Sequence, residues 1–110
     1  MKEDTSSPYL VVLVTTSGRE EAQKIAEHLL NRRKAACVNV VPAVSSFFWW
    51  QGKVDTDQES LLVIKTRASV LNEVIALVGK LHSYDVPEII ALPIVAGNQD
   101  YLEWIGREVK

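Results

Sequence analysis

The 110 residues predict an α+β fold in which two amphipathic helices cover one face of a single antiparallel sheet. Three observations carry that prediction. Four apolar, strand-like runs alternate with two helical stripes in the order β-α-β-β-α-β. The second and third runs are separated only by Gln51-Gly52, so they form an antiparallel hairpin. Each helical stripe is apolar on one side alone, and that side must be buried against a sheet. The length fits one domain over residues 1–110, able to bury about 65 % of the surface its unfolded chain exposes. A hydrophobic content of 47 % with 24 % charged residues is an ordinary globular composition.

The elements follow in chain order. Tyr9 to Thr16 (YLVVLVTT) is a continuous apolar run rich in β-branched residues, as in a strand covered on both faces. Ser17 and Glu20 form an SxxE capping box, which opens a helix. Ala22, Ile25, Ala26, Leu29 and Leu30 supply its i, i+3, i+4, i+7, i+8 stripe, and it ends near Arg33. The cluster Arg32-Arg33-Lys34 is expected to be a solvated helix end, where cations suit the dipole. Ala36 to Val41 is the second strand. Pro42, which cannot donate to a ladder, marks a bulge or an edge before the chain resumes extended from Val44 to Trp50. Lys53 to Thr66 returns as the third strand. Ser69 is the expected cap of a second helix with Leu71, Val74, Ile75, Val78 and Leu81 on its buried side. HSYDVP (82–87) is a loop, Glu88 to Val95 a fourth strand, and Asn98 with Asp100 starts a short final helix carrying Tyr101, Leu102, Trp104 and Ile105. This order is the split βαβ, ferredoxin-like pattern, with strands arranged 4-1-3-2.

Four consecutive aromatics, Phe47, Phe48, Trp49 and Trp50, close the second strand. Pairing across Gln51-Gly52 places Phe47, Trp49 and Val54 on one face of the ribbon and Phe48, Trp50, Lys53 and Asp55 on the other. A strand from Ala36 to Trp50 would be about 50 Å long at about 3.3 Å per residue, against a radius of gyration of about 13 Å for a domain of this size. The hairpin must therefore bend, protrude, or both. No Lys or Arg occurs between Ala35 and Gln51, so this edge strand lacks the charges that normally discourage edge pairing. Contact with another chain is the expected outcome.

Composition and motifs exclude several functions. A net charge of -2 argues against a nucleic-acid partner. No run of 18 apolar residues exists to cross a membrane as a helix. The single cysteine, Cys37, forbids an internal disulfide and a one-chain CxxC clip. The polar start MKEDTSSPY lacks a secretory segment; residues 1–8 are expected to be a flexible tail and the compartment cytoplasmic. GxSxG, HExxH, P-loop and GxGxxG motifs are absent, and a non-enzymatic role is expected. Two other functions found on this fold pattern also lack their residues. The first-strand turn TTSG has no cysteine pair for a metal chaperone, and Arg19 in TTSGRE is explained by a surface helix start as well as by a phosphate loop.

VVLVTT, KAACVNVVP, SSFFWWQGKV, ESLLVIKT, HSYDVPEIIALPI and YLEWI, in this order, resemble the CutA family of divalent-cation tolerance proteins over nearly the whole chain. The resemblance implies a homotrimer with hairpins paired between subunits, which would cover Phe47, Phe48, Trp49 and Trp50. It also implies a role in metal-ion tolerance, with copper or another divalent cation as the candidate cofactor. The family's putative ligands are a cysteine ending the first strand and two adjacent histidines. Carried over position by position they fall on Val14, Leu81 and His82, so only His82 survives; Cys37 matches a further family cysteine. Cys37 and His82 are the candidate metal ligands by softness and imidazole chemistry. Their plain alternatives are a small buried hydrophobe and a helix-end histidine; His28 is a surface residue.

A second group is Trp50, Glu59, Lys65, Tyr84 and Glu88. Glu59 and Lys65 share one side of the third strand, and Tyr84 and Glu88 flank the entry to the fourth. In the family, positions like Trp50, Lys65, Tyr84 and Glu88 line clefts between subunits. Such a cleft suits either a small polar ligand or a structural ion pair, since a lysine in an apolar strand needs a partner. Besides metal tolerance, two readings stay open: a trimeric small-ligand sensor similar to the nitrogen regulatory PII proteins, and a scaffold for another protein.

Overall fold

The computed structural model describes residues 7–110. Its elements are β1 (Tyr9–Thr16), α1 (Arg19–Asn31), β2 (Cys37–Trp50), β3 (Lys53–Arg67), a 3-10 turn (Ala68–Val70), α2 (Leu71–Leu81), β4 (Ile89–Pro93) and α3 (Gln99–Glu108). The strands form one sheet in the order β2-β3-β1-β4, with every neighbouring pair antiparallel. β2 is therefore an edge, as the 4-1-3-2 arrangement expects.

The side-chain period of two divides the sheet into unlike faces. Leu10, Val12, Val14 and Thr16 of β1 and Ser60, Leu62, Ile64 and Thr66 of β3 point toward the helices and are buried. α1 meets them with Ala22, Ile25, Ala26 and Leu29, and α2 with Val74 and Val78. α3 adds Ile105 and is capped by Asn98, whose side-chain oxygen accepts from the N–H groups of Asp100 and Tyr101. On the opposite face Val11, Leu13, Leu61 and Val63 are half-buried, and Ile90 and Leu92 are exposed.

β2 keeps its pairing with β3 through one irregularity. Val41 pairs with Leu61 and Val44 with Glu59, so Pro42 and Ala43 stand opposite Ser60 alone. Ala43 has φ 59, a left-handed conformation. The extra residue reverses the parity of the strand. Val38 and Val40, opposite Ile64 and Leu62, lie on the helix side before the bulge; beyond it, Phe47 and Trp49 do. The turn is closed by Gln51 (φ 50) and Gly52 (φ 79), both left-handed as a type I′ turn requires, with Trp50 paired to Lys53. The long ribbon gives the molecule extents of 43 × 35 × 24 Å.

Two expected helix caps are corrected. Ser17 and Glu20 do not form a capping box: Gly18 occupies the N-cap position of α1, and Ser17 bonds Glu21 instead through its N–H and hydroxyl, at 3.1 and 3.2 Å. Ser69 does not cap α2, because the chain first makes the 3-10 turn and enters the helix after Val70 without a side-chain cap. Residues 1–6 of the expected tail lie outside the described residues, while Ser7 and Pro8 are fastened. The Ser7 hydroxyl donates to the Ile94 carbonyl at 2.7 Å, and the Pro8 carbonyl accepts from Ala68 N–H at 2.8 Å. The basic cluster after α1 is also more than a solvated end. Arg33 pairs with Glu108 of α3 at 2.7 Å and Lys34 with Glu73 of α2 at 3.1 Å, so it ties three helices together.

Candidate functional site

The loop between α2 and β4 brings one sequence-predicted pair into contact. The Tyr84 hydroxyl donates to Glu59 Oε2 at 2.8 Å. Glu59 is only 9 % exposed, although it sits on the sheet face that α1 and α2 leave uncovered. Burial first, and then the Glu59 carboxylate, push the Tyr84 phenol well above its ordinary range, so it remains a donor through neutral pH.

His82 explains how Tyr84 is held there. It caps the end of α2 and is buried, with Nε2 2.7 Å from the Thr15 carbonyl and Nδ1 accepting from Tyr84 N–H at 3.1 Å. A carbonyl only accepts and a backbone N–H only donates, so the bonds define the Nε2–H tautomer. The rings of His82 and Tyr84 are packed with centroids 4.7 Å apart. Glu21 of α1 holds the same loop from the other side, accepting from Ser83 N–H at 2.8 Å and from Ser17. Burial raises its carboxyl, but bonds from Ser83 and Ser17 outweigh that and hold it below the usual carboxylate value.

The other members of the group stand apart in the single chain. Lys65 lies six residues from Glu59 along β3, about 20 Å at about 3.3 Å per residue, and donates to Asn39 Oδ1. Trp50 is paired with Lys53, six residues from Glu59 in the other direction and again about 20 Å away. Glu88 is exposed just before β4. Trp50, Phe48, Glu59 and Lys65 do share one face of the ribbon, because the bulge returns β2 to that side. The helix-side aromatics Phe47 and Trp49 are 72 % and 76 % exposed, and Trp50 and Phe48 on the other side 60 % and 38 %.

The candidate metal ligands are not brought together. Cys37 pairs with Lys65 on β2, half-buried beside Asn39 and Tyr101, whereas His82 is anchored at Thr15. The two are separated by four residues along β1 and two strands across, on the order of 15 Å. Both ring nitrogens of His82 are already engaged, which leaves no free lone pair for a cation. Among the described residues no group of three or more His, Cys, Asp or Glu side chains is placed to hold a metal ion. Sequence reasoning missed Glu21 as the loop's anchor and Thr66, whose hydroxyl donates to the Lys34 carbonyl at 2.6 Å. A carboxylate one turn into α1 and a threonine in a β-branched run carry no local signal of those roles.

Comparison with known proteins aligns residues 10–108 with the family model described as CutA1 divalent ion tolerance protein. The chain is 50 % identical over 106 residues to the rice protein named Protein CutA 1, chloroplastic, covering 96 % of this chain and 60 % of the rice protein. It is 48 % identical to the Thermus thermophilus divalent-cation tolerance protein CutA over 86 % of this chain and 92 % of that protein. The crystal structure of rice CutA1 superposes with a TM-score of 0.92 at 47 % identity, covering 97 % of this chain and 98 % of that one. The solved structure of the Archaeoglobus fulgidus protein named the periplasmic divalent cation tolerance protein CutA gives a TM-score of 0.90 at 40 % identity, covering 93 % of this chain and 99 % of that one. These names overturn the cytoplasmic expectation. Relatives are described as chloroplastic and periplasmic, so one cysteine and a polar first stretch do not fix the compartment. Among the described residues no helix is long and apolar enough to cross a membrane.

Proposed function

The chain belongs to the CutA1 divalent ion tolerance family, and from that premise we propose that it serves divalent-cation tolerance as a closed homotrimer of ferredoxin-like domains, without catalysing a reaction. One observation supports the assembly above all: the unpaired edge β2, free of Lys and Arg, runs into a tip whose four aromatics are exposed in the single chain. An apolar edge with free backbone donors and acceptors is unstable in water unless covered. A closed ring covers all such edges and ends the assembly, whereas open pairing would build fibres. The number three comes from the family resemblance. Sedimentation equilibrium at micromolar concentration is expected to give three times the protomer mass; a stable folded monomer would overturn the reading.

Copper or another divalent cation enters this proposal only weakly bound to each protomer, because Val14 and Leu81 replace two family ligands and His82 is spent on Thr15 and Tyr84. Calorimetric titration with Cu(II) is expected to show no tight one-to-one binding, and a tight isotherm would contradict that. The Glu59–Tyr84 pair favours a second reading, a trimeric sensor of a small polar ligand, for which the inter-subunit cleft would supply Trp50, Lys65 and Glu88. A metabolite screen by thermal shift tests it: stabilisation by a metabolite in the native protein but not in Glu59→Gln supports the sensor, and stabilisation by none removes it.

A further inference from the structure

The outer arm of the β2-β3 hairpin carries a strained backbone position at each end. Among the described residues, the non-glycine residues with positive φ are Arg33, Ala43 and Gln51. Ala43 (φ 59) lies in the bulge where the arm begins, and Gln51 (φ 50) in the turn where it ends. In that conformation a Cβ crowds the following carbonyl oxygen, so both residues are held against their own preference. Packing within the chain does not hold them. None of residues 42–50 or 53–58 is buried, whereas β3 on the other side of the bulge sets Leu62 and Ile64 into the core. Register is firmly specified where one face is buried and weakly where neither is.

One movement relieves both positions. With Val41 kept opposite Leu61, a slide of one residue brings Pro42 to Ser60, Ala43 to Glu59, Ser46 to Thr56 and Trp49 to Lys53, and no residue is left over. Ala43 then lies in regular strand. The turn becomes Trp50-Gln51-Gly52, a three-residue loop that needs a left-handed residue only at its last position, where Gly52 already has φ 79. Pro42 is acceptable there because β2 is an edge strand, on which a residue without an N–H can face away from its neighbour. We propose that the outer arm is a two-register switch, moving between the bulged register and this slipped one over an unmoved base. Its output is the pair of aromatics on the face of Glu59: Phe48 and Trp50 in the bulged register, Phe47 and Trp49 in the slipped one. Alternation makes the exchange complete, since a slide of one residue turns every side chain of the arm over together. A ligand that meets one aromatic pair better than the other draws the arm into the matching register.

Disulfide trapping in a Cys37→Ser background reads the register directly. Ser46→Cys with Asp57→Cys links the bulged register, in which these residues are partners. Ser46→Cys with Thr56→Cys links the slipped one alone, because residues 46 and 56 otherwise point to opposite faces. Ser46→Cys with Gln58→Cys needs a slide in the opposite sense and reports general fraying. In a glutathione redox buffer, with links within one chain identified by peptide mass mapping of the monomer band, the 46–57 and 46–56 links are expected to form and the 46–58 link is not. Ala43→Gly, which accepts the left-handed conformation, is expected to slow the 46–56 link by about fivefold or more. Deleting Ala43, which leaves no residue to slide, is expected to abolish it. A 46–57 link without a 46–56 link would overturn the switch, equal yields of the 46–56 and 46–58 links would reduce the arm to a frayed end, and a rate unchanged by Ala43→Gly would overturn the part given to Ala43. In the protein without added cysteines, nuclear magnetic relaxation dispersion is expected at the amides of residues 44–50 and 53–58 and not at 37–41; flat profiles throughout the arm would overturn the exchange.

Discussion

The base of the sheet and the tip of its hairpin are made of similar residues and end in opposite situations. At the base, Val12, Val14, Leu62 and Ile64 are fully buried beneath α1 and α2. At the tip, Phe47 and Trp49 lie on that same helix side of the ribbon, yet three-quarters of each stays exposed. Both stretches are extended, apolar and paired to a neighbour. The difference is that, among the described residues, the chain supplies helices for one and no cover for the other. Hydrophobic pattern therefore marks what must be buried, while the connectivity decides whether the same chain can bury it.

Ile64→Ala gives the largest effect expected and probes the base. Its side chain is fully enclosed, and truncation there should cost about 3 kcal/mol in denaturant unfolding, with a much smaller loss counting against the core described above. Trp50→Ala probes the tip. Self-association should weaken by about 2 kcal/mol or more while far-UV dichroism is retained, and an unchanged dissociation curve would place the tip outside the interface. Gln51→Asn sharpens the turn that holds the tip together. With φ positive at residue 51, the better-suited residue should add about 0.5 kcal/mol to thermal stability.

The smallest expected effect lies in acid. Glu21 has its folded pKa held below the ordinary 4.5, so its contribution is present above that value and is lost as pH falls through the lower folded one. Melting temperature should therefore decline below about pH 4.5, and Glu21→Gln should flatten that decline. A native-like slope in the variant would assign the decline to other carboxylates.

Much of the fold was legible because period and turn chemistry are local. The run YLVVLVTT, the stripe from Ala22 to Leu29, the Gln51-Gly52 turn and the Asn98 cap all stand where the residues put them. Helix starts were less legible. Ser17 and Ser69 have the chemistry of caps, but Glu21 takes the first for the Tyr84 loop and a 3-10 turn comes between the second and α2. The candidate site was legible as a face and not as a place. Alternation puts Glu59 and Lys65 on one side of β3, but it cannot say that Tyr84 is the residue brought into hydrogen-bond contact with Glu59. Nor does an imidazole's residue type reveal that both its nitrogens are occupied, as they are in His82.

The irregularity at Pro42 and Ala43 has a consequence for how this surface can change. Because two residues there face one, everything from Val44 to Trp50 is read in a shifted frame relative to Cys37–Val41. Deleting Ala43 would leave Pro42 alone opposite Ser60 and Val44 still opposite Glu59, so all four aromatics would keep their sides; flattening the bulge without losing a residue would instead slide the register by one, carrying Phe47 and Trp49 to the face of Glu59 and sending Phe48 and Trp50 to the helix side. Substitutions in the tip alter one ring at a time, whereas a register slip at the bulge twenty-odd ångströms away transposes the whole set. The outer ribbon is thus coupled to its root as a downstream message is to an upstream frameshift.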